Sequence, residues 1–112
     1  MKIFISQPMN GKTTEQIKNE RQAMVEYFEG MEHEVIDSIY YDTEKEQPTN
    51  VPLWYLGKSL QDMSKADAVV FMHGWENARG CLAENHCAKT YGIETVYQNA
   101  QGQLFTEEQY TW

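Results

Sequence analysis

The stretch Gly74-Trp75-Glu76-Asn77-Ala78-Arg79-Gly80-Cys81-Leu82-Ala83-Glu84 carries the side chain best suited to covalent chemistry. On a helix, the three- and four-residue neighbours of Glu84 are Gly80, Cys81, Cys87 and Ala88, a small and apolar face. A surface glutamate ordinarily has polar company, so this spacing turns Glu84 inward, across a gap left by residues with little side chain. Burial raises the pKa of such a group and the nearby helix start lowers it, which predicts an ionised, weakly solvated carboxylate. A carboxylate of that kind can attack an electron-poor carbon. The same spacing allows a plainer role, in which Glu84 only complements the helix dipole.

A second chemistry-bearing segment is Ser6-Gln7-Pro8-Met9-Asn10-Gly11-Lys12-Thr13, a phosphate-loop pattern in which Ser6 replaces the first glycine. Context argues against a nucleotide triphosphatase. The later apolar strand runs Val69-Val70-Phe71-Met72 into His73 with no acid to hold magnesium, and Pro8 removes an amide that would cradle phosphate. A small-ligand loop and an ordinary strand-to-helix turn both remain compatible with these residues. Lys12, placed at a helix start, would favour a single phosphate or carboxylate. His86 and Cys87 are adjacent on a helix, point about 100° apart and do not form a thiol–imidazole pair. Glu76 reads as a solvated loop charge and Asp67 as a helix-to-strand junction. Trp54, Tyr55 and Trp75 could stack on a heterocycle or serve as packing.

The elements that must position these residues follow from composition and periodicity. The 112 residues make one domain, 1–112, and 41% apolar with 23% charged residues is a globular balance. Nine basic against seventeen acidic residues give a net charge of −8, which disfavours nucleic-acid and membrane-surface partners. Cys81 and Cys87 lack partners at zinc-ligand spacing, so no metal is expected and the reducing cytosol fits best. The first residues lack the apolar core of a signal peptide, and no apolar run approaches the roughly 20 residues of a membrane span. A cytoplasmic protein is expected.

Lys2 to Ser6 reads as a strand, and Thr13 with Gln16 caps a helix whose Ile17, Met24 and Phe28 share a face until Gly30. A strand around Val35 and Ile36 follows, then a polar loop, 38–52, with Tyr40 and Tyr41. From Pro52, Leu53, Leu56, Leu60 and Met63 recur at helical spacing. Residues 66–72 form a strand buried on both sides, 80–91 a helix, and 93–97 a further strand. Alternating strands and helices predict an α/β, doubly wound, mainly parallel sheet of four or five strands in flavodoxin-like order, with helices on both faces. Ligands of such sheets sit beyond the carboxyl ends of the strands. The loops from Gln7 to Lys12 and from His73 to Gly80 belong there.

With those loops placed, the segments Ile-Ser-Gln-Pro-Met-Asn-Gly-Lys at 5–12, Leu-Trp-Tyr-Leu-Gly-Lys-Ser-Leu at 53–60, Ala-Asp-Ala-Val-Val at 66–70 and the 74–84 stretch resemble the nucleoside 2-deoxyribosyltransferase-like superfamily, over roughly residues 2–97. The likeness is closest to its short, uncharacterised bacterial and phage branch. It implies cleavage or transfer at the N-glycosidic bond of a (deoxy)nucleoside or its monophosphate, with Glu84 as the nucleophile and no cofactor. It places Ser6, Gln7, Pro8 and Met9 along the ligand; the two loops beyond the strand ends add Gly11, Lys12, Gly74, Trp75, Asn77, Arg79 and Gly80 as candidate substrate contacts, and Ser59 is a further one. Lys12 or Arg79 would anchor a phosphate. Ser59 stands where the family has an aspartate, and Ala78 where it has an aspartate or serine. The other function class is a non-catalytic protein that sequesters a nucleotide-like metabolite. Tyr110 and Trp112, together with the family's habit, imply a homo-oligomer.

Overall fold

The computed structural model describes residues 1–37 and 48–109. Five strands, β1 (Lys2–Ser6), β2 (Glu34–Val35), β3 (Ala68–Phe71), β4 (Glu94–Gln98) and β5 (Leu104–Thr106), form one sheet in the order β2-β1-β3-β4-β5. The first four run parallel, and β5 pairs antiparallel with β4. Three helices, α1 (Thr14–Gly30), α2 (Val51–Met63) and α3 (Arg79–Thr90), connect them. This is the flavodoxin-like α/β arrangement that the alternating pattern predicts.

The sequence explains why each element starts and stops. Thr13 caps α1 by accepting from the Gln16 amide while the Gln16 side chain accepts from the Thr13 amide, a reciprocal pair that satisfies two orphan donors. Asn50 caps α2 and its proline lies in the first turn, where a missing N–H costs nothing. Gly92, at φ 75°, lets the chain leave α3 and enter β4. Asp67 accepts from the Lys2 amide at 2.7 Å, so it pins the junction before β3 to the start of β1, as its position suggests.

Both sheet faces are covered, which is why β3 is apolar throughout. Met24 and Phe28 of α1 pack on Ile3, Ile5, Ala68 and Val70. On the other face Met63 of α2 with Cys81 and Ala88 of α3 pack on Phe4, Val69, Phe71 and Tyr97. Phe71, Trp75 and Tyr97 form an aromatic cluster with centroids 5.3–5.5 Å apart. The β5 pairing was not legible as a strand, because three residues carry too little alternation. Residues 38–47 of the long polar loop, with Tyr40 and Tyr41, lie outside the described residues, as do Tyr110 and Trp112. No helix among the described residues is long and apolar enough to cross a membrane.

Candidate functional site

The β1–β3 pair is the point where the strand order reverses, so the connections leaving these strands diverge to opposite faces and open a crevice between them. A cleft of about 760 Å³ lies there, walled by the loop after β1, the first turns of α1, the outer face of α2 and the start of α3. Its size suits a ligand of nucleotide dimensions.

Glu84 lines this cleft and is only 8% exposed. It stands in the second turn of α3, whose small residues Gly80 and Cys81 line the same wall. Its Oε1 accepts from Ser6 Oγ at 3.4 Å, the one hydrogen bond it makes among the described residues. Burial therefore lifts its pKa to about 7, and the Ser6 hydroxyl offsets this only in part. The expectation of a buried carboxylate agrees with the placement, but the helix start does not hold it in the usual carboxylate range. Near neutral pH the group divides between carboxylate and acid. Beside it, burial pushes the Cys81 thiol up to about 11, so this sulfur stays protonated and is a poor nucleophile.

The other residues singled out in the sequence separate into two groups. Gln7, Met9, Ser59, Arg79 and Gly80 line the cleft with Glu84. The Gln7 amide donates Nε2 to the Ile17 carbonyl at 2.8 Å, while its Oε1 is buried with no hydrogen-bond partner among the described residues. Ser6 is 1% exposed and sits behind Glu84, away from the cleft lining. Pro8, Gly11, Lys12, Gly74, Trp75 and Asn77 do not line the cleft either. Trp75 is packed on Phe71 and Tyr97, because the apolar strand before it delivers the ring straight into the core. Gly74, at φ 90°, makes the turn that takes it there, and a side chain at this position would approach Pro8. Asn77 is exposed, and Gly11 is a turn glycine at φ 76°. Lys12 is ion-paired with Glu20 at 3.0 Å, so its charge is shared before any ligand arrives.

Sequence reasoning missed the apolar wall. Leu53, expected on a core stripe, is 60% exposed, and with Leu56 and Ile17 it borders the cleft. The signal was present, since the stripe Leu53, Leu56, Leu60, Met63 is longer than the core needs. Only Met63 of α2 is fully buried, with Leu60 packed beside it. Lys18 also lines the cleft and carries no sequence mark that separates it from its neighbours, whereas Tyr55, named in the sequence as a residue that could stack on a heterocycle, does stand on the cleft wall. Among the described residues no group of three His, Cys, Asp or Glu side chains could hold a metal ion.

A sequence model described as a domain of unknown function, DUF4406, matches residues 1–97. The chain belongs to the DUF4406 family. No curated protein matches it. The DUF4406 segment contains every described wall of the cleft, from Gln7 to Glu84, and ends within β4, before β5 begins.

Proposed function

We propose that this protein cleaves or transfers at the N-glycosidic bond of a deoxynucleoside or its 5′-monophosphate, as a nucleoside 2-deoxyribosyltransferase-like protein. The observation that carries the reading is Glu84: a buried carboxylate on a cleft wall, with a single long hydrogen bond and an ionisation midpoint near neutrality. A surface helix-dipole partner would have none of these properties.

In the proposed reaction a Glu84 carboxylate oxygen attacks C1′. The C1′–N bond breaks with its electron pair leaving on the base, and a glycosyl ester forms. Water or a second base then attacks C1′ and gives up a proton to solvent, as the departed base takes one up from solvent, the ester bond breaks, and the carboxylate is regenerated with configuration retained overall. The apolar wall of Met9, Ile17, Leu53 and Leu56 suits the faces of a base. The amino end of α3, which has no side-chain cap, together with Arg79 and Lys18 suits the 5′ group. Because only the ionised form attacks, the rate rises with pH through about 7 and then levels.

One observation favours a second reading, the sequestering of a nucleotide-like metabolite. Glu84 is the only carboxylate among the described cleft-lining residues, so none of them is a second carboxylic acid of the kind that protonates the departing group in paired-carboxylate glycosidases. Incubation with a panel of deoxynucleosides and their monophosphates, monitored for free base, separates the two. Released base that disappears in Glu84→Gln, by on the order of a thousandfold or more, supports catalysis. Ligand-raised thermal stability with no base released supports sequestering. We further propose a homo-oligomer in the cytosol, where the free Cys81 and Cys87 would stay reduced, with no nucleic-acid or membrane partner.

A further inference from the structure

We propose that Ser6 is a positioning residue for Glu84, its hydroxyl holding Oε1 so that Oε2 is the oxygen left for the ligand. The inference rests on the reading of Glu84 as the reactive group in the cleft, and it assigns Ser6 a role beneath the cleft in place of one against the ligand.

The geometry of β1 supports this. Ser6 is the last residue of the strand, in register with Phe71 of β3, and its carbonyl accepts from the Met72 amide at 3.0 Å. Both neighbours are fully or almost fully buried, so the Cα of Ser6 cannot drift. Its hydroxyl is a fixed post at the point where the two central strands end. Glu84 reaches it from α3, across 78 positions of sequence, and has no other donor among the described residues. Oε1 is therefore occupied and Oε2 is not. A bond of 3.4 Å is long for O–H···O, and it tightens when the carboxylate is ionised or a ligand closes over it.

The groups around this pair leave the hydroxyl as the main protein control on the carboxylate. From α3 the neighbour is Cys81, whose thiol stays neutral, and Arg79 lies at the exposed rim. From the segment before α1 it is Lys12, held by Glu20. Lys18 of α1, and Tyr55 and Ser59 of α2, complete the lining. Burial and the Ser6 hydroxyl are the influences that set the Glu84 ionisation, acting in opposite directions.

The test is titration of the Glu84 side-chain carboxyl by carbon NMR in ligand-free protein, beside the pH profile of base release. In Ser6→Ala the carboxyl midpoint rises by about one pH unit, and the rate profile moves with it. The plateau kcat falls about tenfold with KM changed by less than twofold, because the oxygen that faces the sugar is no longer fixed. Ser6→Thr, which keeps the hydroxyl, restores both. Should Ser6→Ala not fold, Ser6→Cys keeps the volume while weakening the donor, and the midpoint rises in the same direction. An unchanged midpoint in the folded variant overturns the proposal, as does a Ser6→Thr protein indistinguishable from Ser6→Ala. A shifted midpoint in a protein that releases no base at any pH supports the Ser6–Glu84 pairing and removes the glycosidic-cleavage reading instead.

Discussion

Glu84, on α3 at the β1–β3 crevice, and Glu107, in the turn after β5, are both carboxylates with a Tyr, Ser or Thr hydroxyl for a donor, yet their surroundings differ in burial and in the number of donors. Glu84 is almost fully buried and has one donor, 3.4 Å away. Glu107 has a side chain 38% exposed and accepts from Thr95 at 2.7 Å and from the Tyr97 hydroxyl, with the Lys89 ammonium at 3.0 Å. Tyr97 in turn accepts from the Asn85 amide at 2.8 Å, so α3, β4 and the turn after β5 are tied together. Desolvation raises the Glu107 carboxyl, but its hydrogen bonds and Lys89 outweigh that and hold it below the ordinary value. A carboxylate provided with donors acts as a fastener. One buried with almost none destabilises the fold, and that destabilisation makes sense where a ligand completes the shell.

The largest effect expected from this contrast is that removing the charge of Glu84 stabilises the protein. Its folded pKa of about 7 lies above the ordinary 4.5. Between these values the folded chain keeps a proton that the unfolded chain has released, so stability falls as pH rises from 4.5 to 7. Above 7 the full penalty, roughly 3 kcal/mol, is present. Glu84→Gln has almost the same shape and no charge to desolvate. It should be more stable than the parent by roughly 2–3 kcal/mol at pH 8 and no different near pH 4, measured by denaturant unfolding. A variant equally stable or weaker at pH 8 would mean that the carboxylate is better solvated than its single bond implies.

The contrast also separates what the sequence disclosed from what it hid. Periodicity and caps located the three α-helices and the four parallel strands, because those signals are local: Thr13 with Gln16, Gly92, and the unbroken apolar run of β3. The inward turn of Glu84 was legible for the same reason, since its small neighbours lie within one helical turn. What could not be read was long-range. Ser6 meets Glu84 across 78 positions, and Tyr97 meets Glu107 only because β5 folds back antiparallel. Trp75 was misplaced beside the ligand because an aromatic ring after a strand looks the same whether it faces a cleft or the core.

An intermediate effect tests the fastener. Tyr97 is 0% exposed, and burial together with the Glu107 bond pushes its phenol up to about 12, so it remains a neutral donor at any working pH. Tyr97→Phe keeps the ring among Phe71 and Trp75 but strands the Asn85 amide and takes a donor from Glu107. A loss of about 1–2 kcal/mol in unfolding free energy is expected, with ligand affinity for the cleft unchanged. Weakened binding of a deoxynucleoside monophosphate by this variant would show that the Tyr97 network is coupled to the cleft through the adjacent α3 residues Asn85 and Glu84 and that the separation drawn between them is false.

The smallest effect has the opposite sign to the first. A carboxyl held below its ordinary value contributes stability that is complete above 4.5 and is lost as pH falls through the lower folded value. Because more than a third of the Glu107 side chain is exposed, solvent screening limits the contribution to less than about 1 kcal/mol. Glu107→Gln should therefore be slightly less stable than the parent at pH 7 and should converge with it in acid. Between pH 5 and 7 the Glu107 contribution is already constant, so of these two carboxylates only Glu84 adds slope to the parent's stability across that window, and that added slope should be lost in Glu84→Gln while persisting in Glu107→Gln. A slope that follows Glu107 instead would exchange the roles assigned to the two carboxylates.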